Sequence, residues 1–89
     1  MRCVTITVSG KVQGVWFRKY TYDKAIELSL SGTVQNLANG NVLIHASGDS
    51  ALLSAFEEWC WQGSPLSNVK NVEVSETGSL TPEGFQVLE

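Results

Sequence analysis

The segment from Gln13 to Arg18, which reads Q-G-V-W-F-R, combines residue types that could bind an anion. A helical pattern begins near Trp16, yet positions 12 to 16 hold no Ser, Thr, Asp or Asn to cap its first amides. Its first turn carries Arg18 and Lys19, and positive charge there opposes the helix dipole by about 0.3–1 kcal/mol per residue. An anion from outside, most simply a phosphate, would satisfy the free amides and the positive charges together.

Gly14 lets this segment form a cradle of backbone amides, because glycine adopts conformations that turn consecutive N–H groups toward one point. We therefore predict that phosphate binds to the segment formed by Gln13, Gly14, Val15, Trp16, Phe17 and Arg18. These residues alone leave an alternative open, in which water caps the helix and Arg18 is an ordinary surface charge. The spacing of Gly10 and Gly14 does not decide between the two, and no Walker lysine follows.

The elements that position this segment follow from the spacing of apolar residues. Alternation predicts a first strand that Gly10 ends, with one apolar face made of Val4, Ile6 and Val8. A helix is predicted from about Trp16 to Leu30, with a core face of Phe17, Thr21, Ala25 and Leu28. We expect Ser31-Gly32 to stop this helix, with the glycine in the left-handed conformation.

A hairpin and a second helix follow. Thr33 begins the second predicted strand, and Asn39-Gly40 predicts the turn into a third, because both residues tolerate a positive φ. The third strand has one apolar face, made of Val42, Ile44 and Ala46. Asp49 is the expected N-cap of the second helix, which Gly63-Ser64-Pro65 ends.

The rest of the chain completes a known pattern. Val72 and Val74 mark a fourth strand, Gly78 to Gly84 a loop, and Phe85 with Val87 a short final strand. The order strand, helix, strand, strand, helix, strand predicts an α+β fold of the ferredoxin-like split βαβ type. In that fold, two helices cover one face of a mainly antiparallel sheet. We expect residues 1–89 to form a single domain.

This topology brings one more polar side chain to the cradle. In a right-handed βαβ crossover the helix starts where the first strand ends, and the second strand ends at that same edge. Asn36 is the residue at that end, just before the Asn39-Gly40 turn. The first two strands flank the third and so lie about 10 Å apart, a gap that Arg18 and Asn36 can span from opposite sides.

The composition and charge of the chain disfavour some classes of binding partner. Hydrophobic residues at 43% and charged residues at 17% are typical of a soluble globule, and no apolar run approaches the length of a membrane span. The net charge of −3 disfavours binding to nucleic acid. The N-terminus alternates like a strand and lacks the long apolar stretch of a signal peptide, so we expect a cytoplasmic protein. Cys3 and Cys60 form no CxxC pair, and we expect reduced, buried thiols, although a bridge between them stays open.

Two stretches of the sequence resemble the signatures of the acylphosphatases. Gly10 to Arg18, G-K-V-Q-G-V-W-F-R, is similar to the first signature, approximately G-R-V-Q-G-V-x-F-R. Gly32 to Asn36 with the following glycines and valine resembles the second, G-aromatic-V-x-N-x3-G-x-V-x5-G. Lys11 replaces the usual arginine, which is a mild change outside the cradle. Thr33 replaces the usual aromatic residue three positions before Asn36, which puts catalytic efficiency rather than identity in question.

The resemblance covers nearly the whole chain, and it implies hydrolysis of the carboxyl-phosphate bond of acyl phosphates to a carboxylate and inorganic phosphate. By the matching positions, Arg18 holds the phosphate, the segment from Gln13 to Arg18 supplies amides, and Asn36 orients the attacking water. We expect a monomer that binds a small-molecule acyl phosphate, with inorganic phosphate or a similar anion as product or inhibitor, and that binds neither nucleic acid nor membrane.

We expect no cofactor and no metal, because the acidic residues show no metal-ligand spacing. The only histidine, His45, lies out of phase with the apolar face of the third strand, which favours a structural or solvent-facing role over a general base.

Other functions of the same fold need features that this sequence lacks or leaves open. A non-catalytic module that holds phosphate or carbamoyl phosphate is the main alternative, and only an assay separates it from an enzyme. An RNA-binding sheet needs aromatic residues on its central strands, where this sequence has none. A metal chaperone needs the absent CxxC pair.

Overall fold

The computed structural model of the 89-residue chain describes residues 1–78, 81 and 83–88. Its elements are β1 (Arg2–Lys11), α1 (Phe17–Glu27), β2 (Ser31–Asn36), β3 (Val42–Gly48), α2 (Ser50–Gln62), β4 (Asn68–Glu76) and β5 (Phe85–Val87). The predicted order of strands and helices is confirmed, including the short final strand. The predicted loop from Gly78 to Gly84 contains Ser79, Leu80 and Pro82, which lie outside the described residues.

The strands form one five-stranded sheet in the order β4-β1-β3-β2-β5. Neighbouring strands are antiparallel except β2 and β5, which are parallel. Alternate residues of β1, β2 and β3 are fully buried on one face, and they share a core with the buried sides of both helices. The expected ferredoxin-like sandwich is therefore present, with β3 between β1 and β2.

The end of β1 differs from the prediction. Gly10 does not end the strand, which continues to Lys11 through an irregularity in the pairing with β4 between Ser9 and Gly10. Gly10 has φ 120°, and a Cβ there would lie 2.3 Å from the carbonyl oxygen of Asn68. The extra residue of this irregularity, Lys70, lies on β4, and Gly10 lets the two strands approach closely there.

The end of α1 was also predicted wrongly. The helix stops at Glu27, and Ser29 rather than Gly32 takes the left-handed conformation, with φ 56°. Gly32 already belongs to β2, where a Cβ would lie 1.8 Å from the carbonyl oxygen of His45. The glycine is thus required for the close approach of β2 to β3, and β2 begins at Ser31 rather than at Thr33.

The hairpin between β2 and β3 is confirmed, with one difference in its turn. Only Gly40 has a positive φ, of 94°, whereas Asn39 does not. The N–H of Gly40 donates to the carbonyl of Leu37 at 3.2 Å, and the side chain of Asn39 accepts from the N–H of Asn41 at 3.0 Å. A turn followed by one left-handed residue therefore replaces the predicted pair of left-handed residues.

The second helix agrees with the prediction at both ends. The Asp49 side chain caps it by accepting from the N–H groups of Ala51 and Leu52. Gly63 ends it with φ 67°. Across the described residues, neither helix has the length and apolar character that crossing a membrane requires.

Both cysteines are free and buried, so the open question of a bridge is answered for this structure. Burial raises the pKa of the Cys60 thiol to about 12, with a smaller contribution from the charge of Glu57. Because the thiolate is the reactive form, Cys60 is an inert part of the core rather than a nucleophile.

Candidate functional site

The loop between β1 and α1 contains two left-handed residues, Gly14 with φ 75° and Trp16 with φ 65°. Trp16 is the N-cap of α1, and no side chain makes a capping hydrogen bond there, as the sequence predicted. A left-handed conformation outside glycine costs about 1–3 kcal/mol and persists only where surrounding structure enforces it. Strain of this kind is concentrated at functional sites, and here it sets the direction of the first amides of the helix.

The amides of this loop are free. The first hydrogen bond within α1 runs from the N–H of Tyr20 to the carbonyl of Trp16, at 3.1 Å. Within the described part of the chain, no backbone N–H of residues 13 to 19 donates a hydrogen bond. Free N–H groups at a helix start carry the positive end of the helix dipole, so this loop has the polarity that an anion requires.

Arg18 is held in place by the far end of the chain. Its Nη1 atom donates to the carbonyl oxygen of Leu88 at 3.1 Å. The N–H of Leu88 in turn donates to the carbonyl of Val34 at 2.8 Å, which continues the pairing of β5 with β2. This bond holds the guanidinium in position. Because a guanidinium has five N–H donors, the others remain for a ligand. Among the described residues, Arg18 pairs with no carboxylate.

Asn36 is the last residue of β2, opposite Val42 of β3. Its Oδ1 atom is buried and accepts no hydrogen bond from any described residue. Buried polar side-chain atoms almost always have a partner, and an unpaired acceptor loses the hydrogen bonds that it would make in water. The atom is therefore a binding position for a water molecule or for a donor on a ligand.

Arg18 and Asn36 line the same cleft, as the topology predicted. The cleft has a volume of about 700 Å³ and is lined by Val12, Gly14, Trp16, Phe17, Arg18, Lys19, Tyr22, Asn36 and Val87. Of the residues predicted to bind phosphate, Gln13 and Val15 are the two that do not line it. Both have other roles in the loop.

The side chain of Gln13 connects the two halves of the site. Its Nε2 atom donates to the carbonyl oxygens of Leu37 and Asn41, each at 2.8 Å. These two residues close the turn that follows Asn36, since the N–H of Leu37 donates to the carbonyl of Asn41 at 2.8 Å. Gln13 thus ties the amide loop to the strand end that carries Asn36, which the sequence analysis did not foresee.

A second brace comes from the segment after α2. The hydroxyl of Ser64, which is buried, donates to the carbonyl of Val15 at 2.7 Å. Gly63 leaves room for the ring of Phe17, since a Cβ at Gly63 would lie 2.8 Å from that ring. The Gly63-Ser64 pair, read from sequence only as a helix stop, also supports the loop.

Among the described residues, no His, Asp or Glu side chain lines the cleft. His45 faces away from the core on β3, and its Nδ1 lies 3.1 Å from the hydroxyl of Thr5. A hydrogen bond from Arg2 lowers the pKa of Glu76, but this pair lies at the opposite end of β1 from the amide loop. Among the described residues, no three His, Cys, Asp or Glu side chains are grouped so that they could hold a metal ion.

We predict that replacing Gln13 destabilises the fold, and that Gln13→Glu destabilises it more than Gln13→Ala. Gln13→Ala removes both bonds and should lower the free energy of unfolding by about 1–3 kcal/mol. Gln13→Glu should cost more, because a carboxylate oxygen would then face two carbonyl oxygens. Urea denaturation measures both, with the exposed Lys11→Ala as the matched control. A Gln13→Glu variant as stable as the wild type would show that these two hydrogen bonds do not stabilise the fold.

Known proteins resemble this chain over nearly its whole length. The acylphosphatase family model matches residues 4–87. An acylphosphatase of Shewanella amazonensis is 47% identical over 76 residues, which are 85% of this chain and 84% of that protein. The crystal structure of an acylphosphatase from Bacillus subtilis has a TM-score of 0.96 at 37% identity and covers 100% of both chains. The structure of an acylphosphatase from Coxiella burnetii has a TM-score of 0.94 at 41% identity, covering 98% of this chain and 92% of that one.

Proposed function

Because this chain belongs to the acylphosphatase family, we propose that it hydrolyses the carboxyl-phosphate bond of acyl phosphates to a carboxylate and inorganic phosphate. One observation carries the proposal beyond the family: Arg18 and the unpaired acceptor of Asn36 line one cleft, beside free backbone amides. A cation, a row of donors and an acceptor for water are what this reaction needs.

Arg18 and the amides form the phosphate half of the site. A guanidinium can make two parallel hydrogen bonds to phosphate oxygens, which the point charge of lysine cannot reproduce. Its bond to Leu88 holds it in place before substrate arrives. The amides of the loop stabilise the charge that develops on the equatorial oxygens, an effect of about 3–4 kcal/mol per donor in comparable sites. Phosphoryl transfer depends mainly on positioning and charge stabilisation of this kind.

Asn36 forms the water half of the site. Its Oδ1 accepts a hydrogen bond from a water molecule and holds the water in line with the bond that breaks. The water oxygen forms a new bond to phosphorus while the bond between phosphorus and the carboxyl oxygen breaks. The carboxylate leaves with the electron pair and needs no general acid, because it is already a stable anion.

When the water attacks phosphorus it loses a proton, which a group of the enzyme or of the bound substrate has to accept. No His, Asp or Glu of the described residues lines the cleft, and His45 is on the open face of the sheet. We therefore assign the proton to an oxygen of the substrate's own phosphate. The reaction then needs neither a metal nor a protein base, and the protein supplies position and positive polarity.

The cleft is complete within one chain, so no second copy is needed to build it. We accordingly propose that the protein acts as a monomer. The two buried, unpaired cysteines fit a reducing compartment, and we propose the cytoplasm as its location.

We expect Arg18 and Asn36 to affect different kinetic constants in the hydrolysis of benzoyl phosphate. Arg18→Lys should lower kcat/KM by about 10²–10³-fold, because paired contacts to the phosphate are lost. Asn36→Ala should lower kcat by about 10²-fold with KM nearly unchanged, because the water loses its position while the phosphate keeps its contacts.

The control for both variants is Lys11→Ala, an exposed lysine in the first signature that does not line the cleft. Circular dichroism shows whether each variant is folded. Full kcat in a folded Asn36→Ala would exclude the proposed role of Asn36. No turnover by the wild type would exclude the enzyme and favour the non-catalytic phosphate-binding module.

The dependence of kcat on pH tests the assignment of the proton. With no protein base and no metal, kcat should be flat between about pH 5 and pH 8 in the presence of EDTA. His45→Asn should leave this profile unchanged. A sharp ionisation in the histidine range, or activity that needs added magnesium, would contradict substrate-assisted hydrolysis.

A further inference from the structure

The cleft is larger than its phosphate half requires. At about 700 Å³ it lies within the range of pockets that enclose a whole organic ligand, whereas a phosphate at the amide loop fills a small part of it. The remaining space must face the acyl group of the substrate, since the carboxyl oxygen is bonded directly to the phosphorus. The side chains around that space therefore decide which acyl groups fit.

Those side chains are mostly apolar and aromatic. Trp16 is 71% exposed and Val87 is 40% exposed, and both line the cleft beside the half-buried ring of Tyr22. The ring of Tyr22 is supported from behind by the edge of Phe85, at a centroid distance of 6.3 Å. Large apolar side chains gathered around one concave site favour an apolar ligand, whereas scattered ones need no explanation.

Trp16 contributes both its main chain and its side chain to the cleft. It holds the left-handed position that starts α1, so its main chain belongs to the phosphate cradle while its side chain remains exposed to solvent. A side chain that projects from the cradle into the cleft is placed to contact the group bonded to the phosphate.

We propose that Trp16, with Tyr22 and Val87, forms an acyl-group subsite that favours aromatic acyl phosphates over small ones such as acetyl phosphate. This inference rests on the proposed hydrolysis of acyl phosphates and adds the chemical class of the acyl group. The indole ring offers a flat apolar face close to the phosphate, on which an aromatic acyl group stacks and an acetyl group makes little contact. Lys19 also lines the cleft, but its ammonium is paired with Asp23 at 3.0 Å, so it does not make this wall a site for anions.

The test compares kcat/KM for benzoyl phosphate and acetyl phosphate in the wild type and in Trp16→Asn. Asparagine tolerates the left-handed conformation, so this variant removes the ring and keeps the backbone of the cradle. The ratio of the two kcat/KM values should fall about tenfold, because KM rises much more for benzoyl phosphate than for acetyl phosphate. The intrinsic difference in reactivity between the substrates cancels in this comparison.

Three further measurements make the result specific. Trp16→Phe should restore most of the ratio, because it keeps an aromatic face. Trp61→Asn is the matched control, since Trp61 is 50% exposed on α2 and does not line the cleft. Inhibition by inorganic phosphate in Trp16→Asn measures separately any effect of the substitution on the cradle.

The outcomes separate the two proposals. An unchanged ratio in Trp16→Asn, or an equal loss for both substrates, would overturn the acyl subsite while leaving the hydrolase in place. A wild type that hydrolyses neither substrate would overturn the proposed function and the subsite with it.

Discussion

The site depends on the loop of residues 13 to 19, whose backbone N–H groups donate to no acceptor among the described residues. The chain leaves β1 after Lys11 and enters α1 through the left-handed Trp16, where no side chain of the described residues caps the helix. An arrangement of that kind carries strain and unsatisfied polarity, which an isolated loop would relieve by changing its conformation. Here Gln13 and Ser64 hold the loop from two sides.

The strand order of the sheet places Asn36 beside that loop, so the site has a phosphate half and a water half. Because β1 and β2 lie on either side of β3, the start of α1 and the end of β2 meet at one edge. Pairing of β5 with β2 then brings the carbonyl of Leu88 to Arg18. The net charge of the chain is −3, so attraction for an anionic substrate has to be local, and it comes from the guanidinium and the helix start.

Residues whose role depends on chain direction and side-chain chemistry could be predicted from the sequence. Arg18 and Asn36 were expected at one edge and line one cleft, and Asp49 caps its helix as expected. Features that depend on three-dimensional packing could not be predicted. The carbonyl of Leu88 has no signature in sequence, and the role of Gly32 became clear only from the approach of His45. The position of Gln13 predicted a backbone role in the cradle, but the two hydrogen bonds from its side-chain amide to the neighbouring turn could not be predicted.

The central claim, that the free amides and Arg18 hold the phosphate, is tested most directly by NMR. Inorganic phosphate is titrated into ¹⁵N-labelled protein while backbone amides, the Arg18 guanidinium and the Asn36 side chain are followed. The account predicts saturable shifts at residues 14 to 19, at Nε of Arg18 and at the Asn36 side chain, with Trp61 and His45 unmoved. Saturable phosphate binding that leaves the amides of residues 14 to 19 unshifted would contradict it.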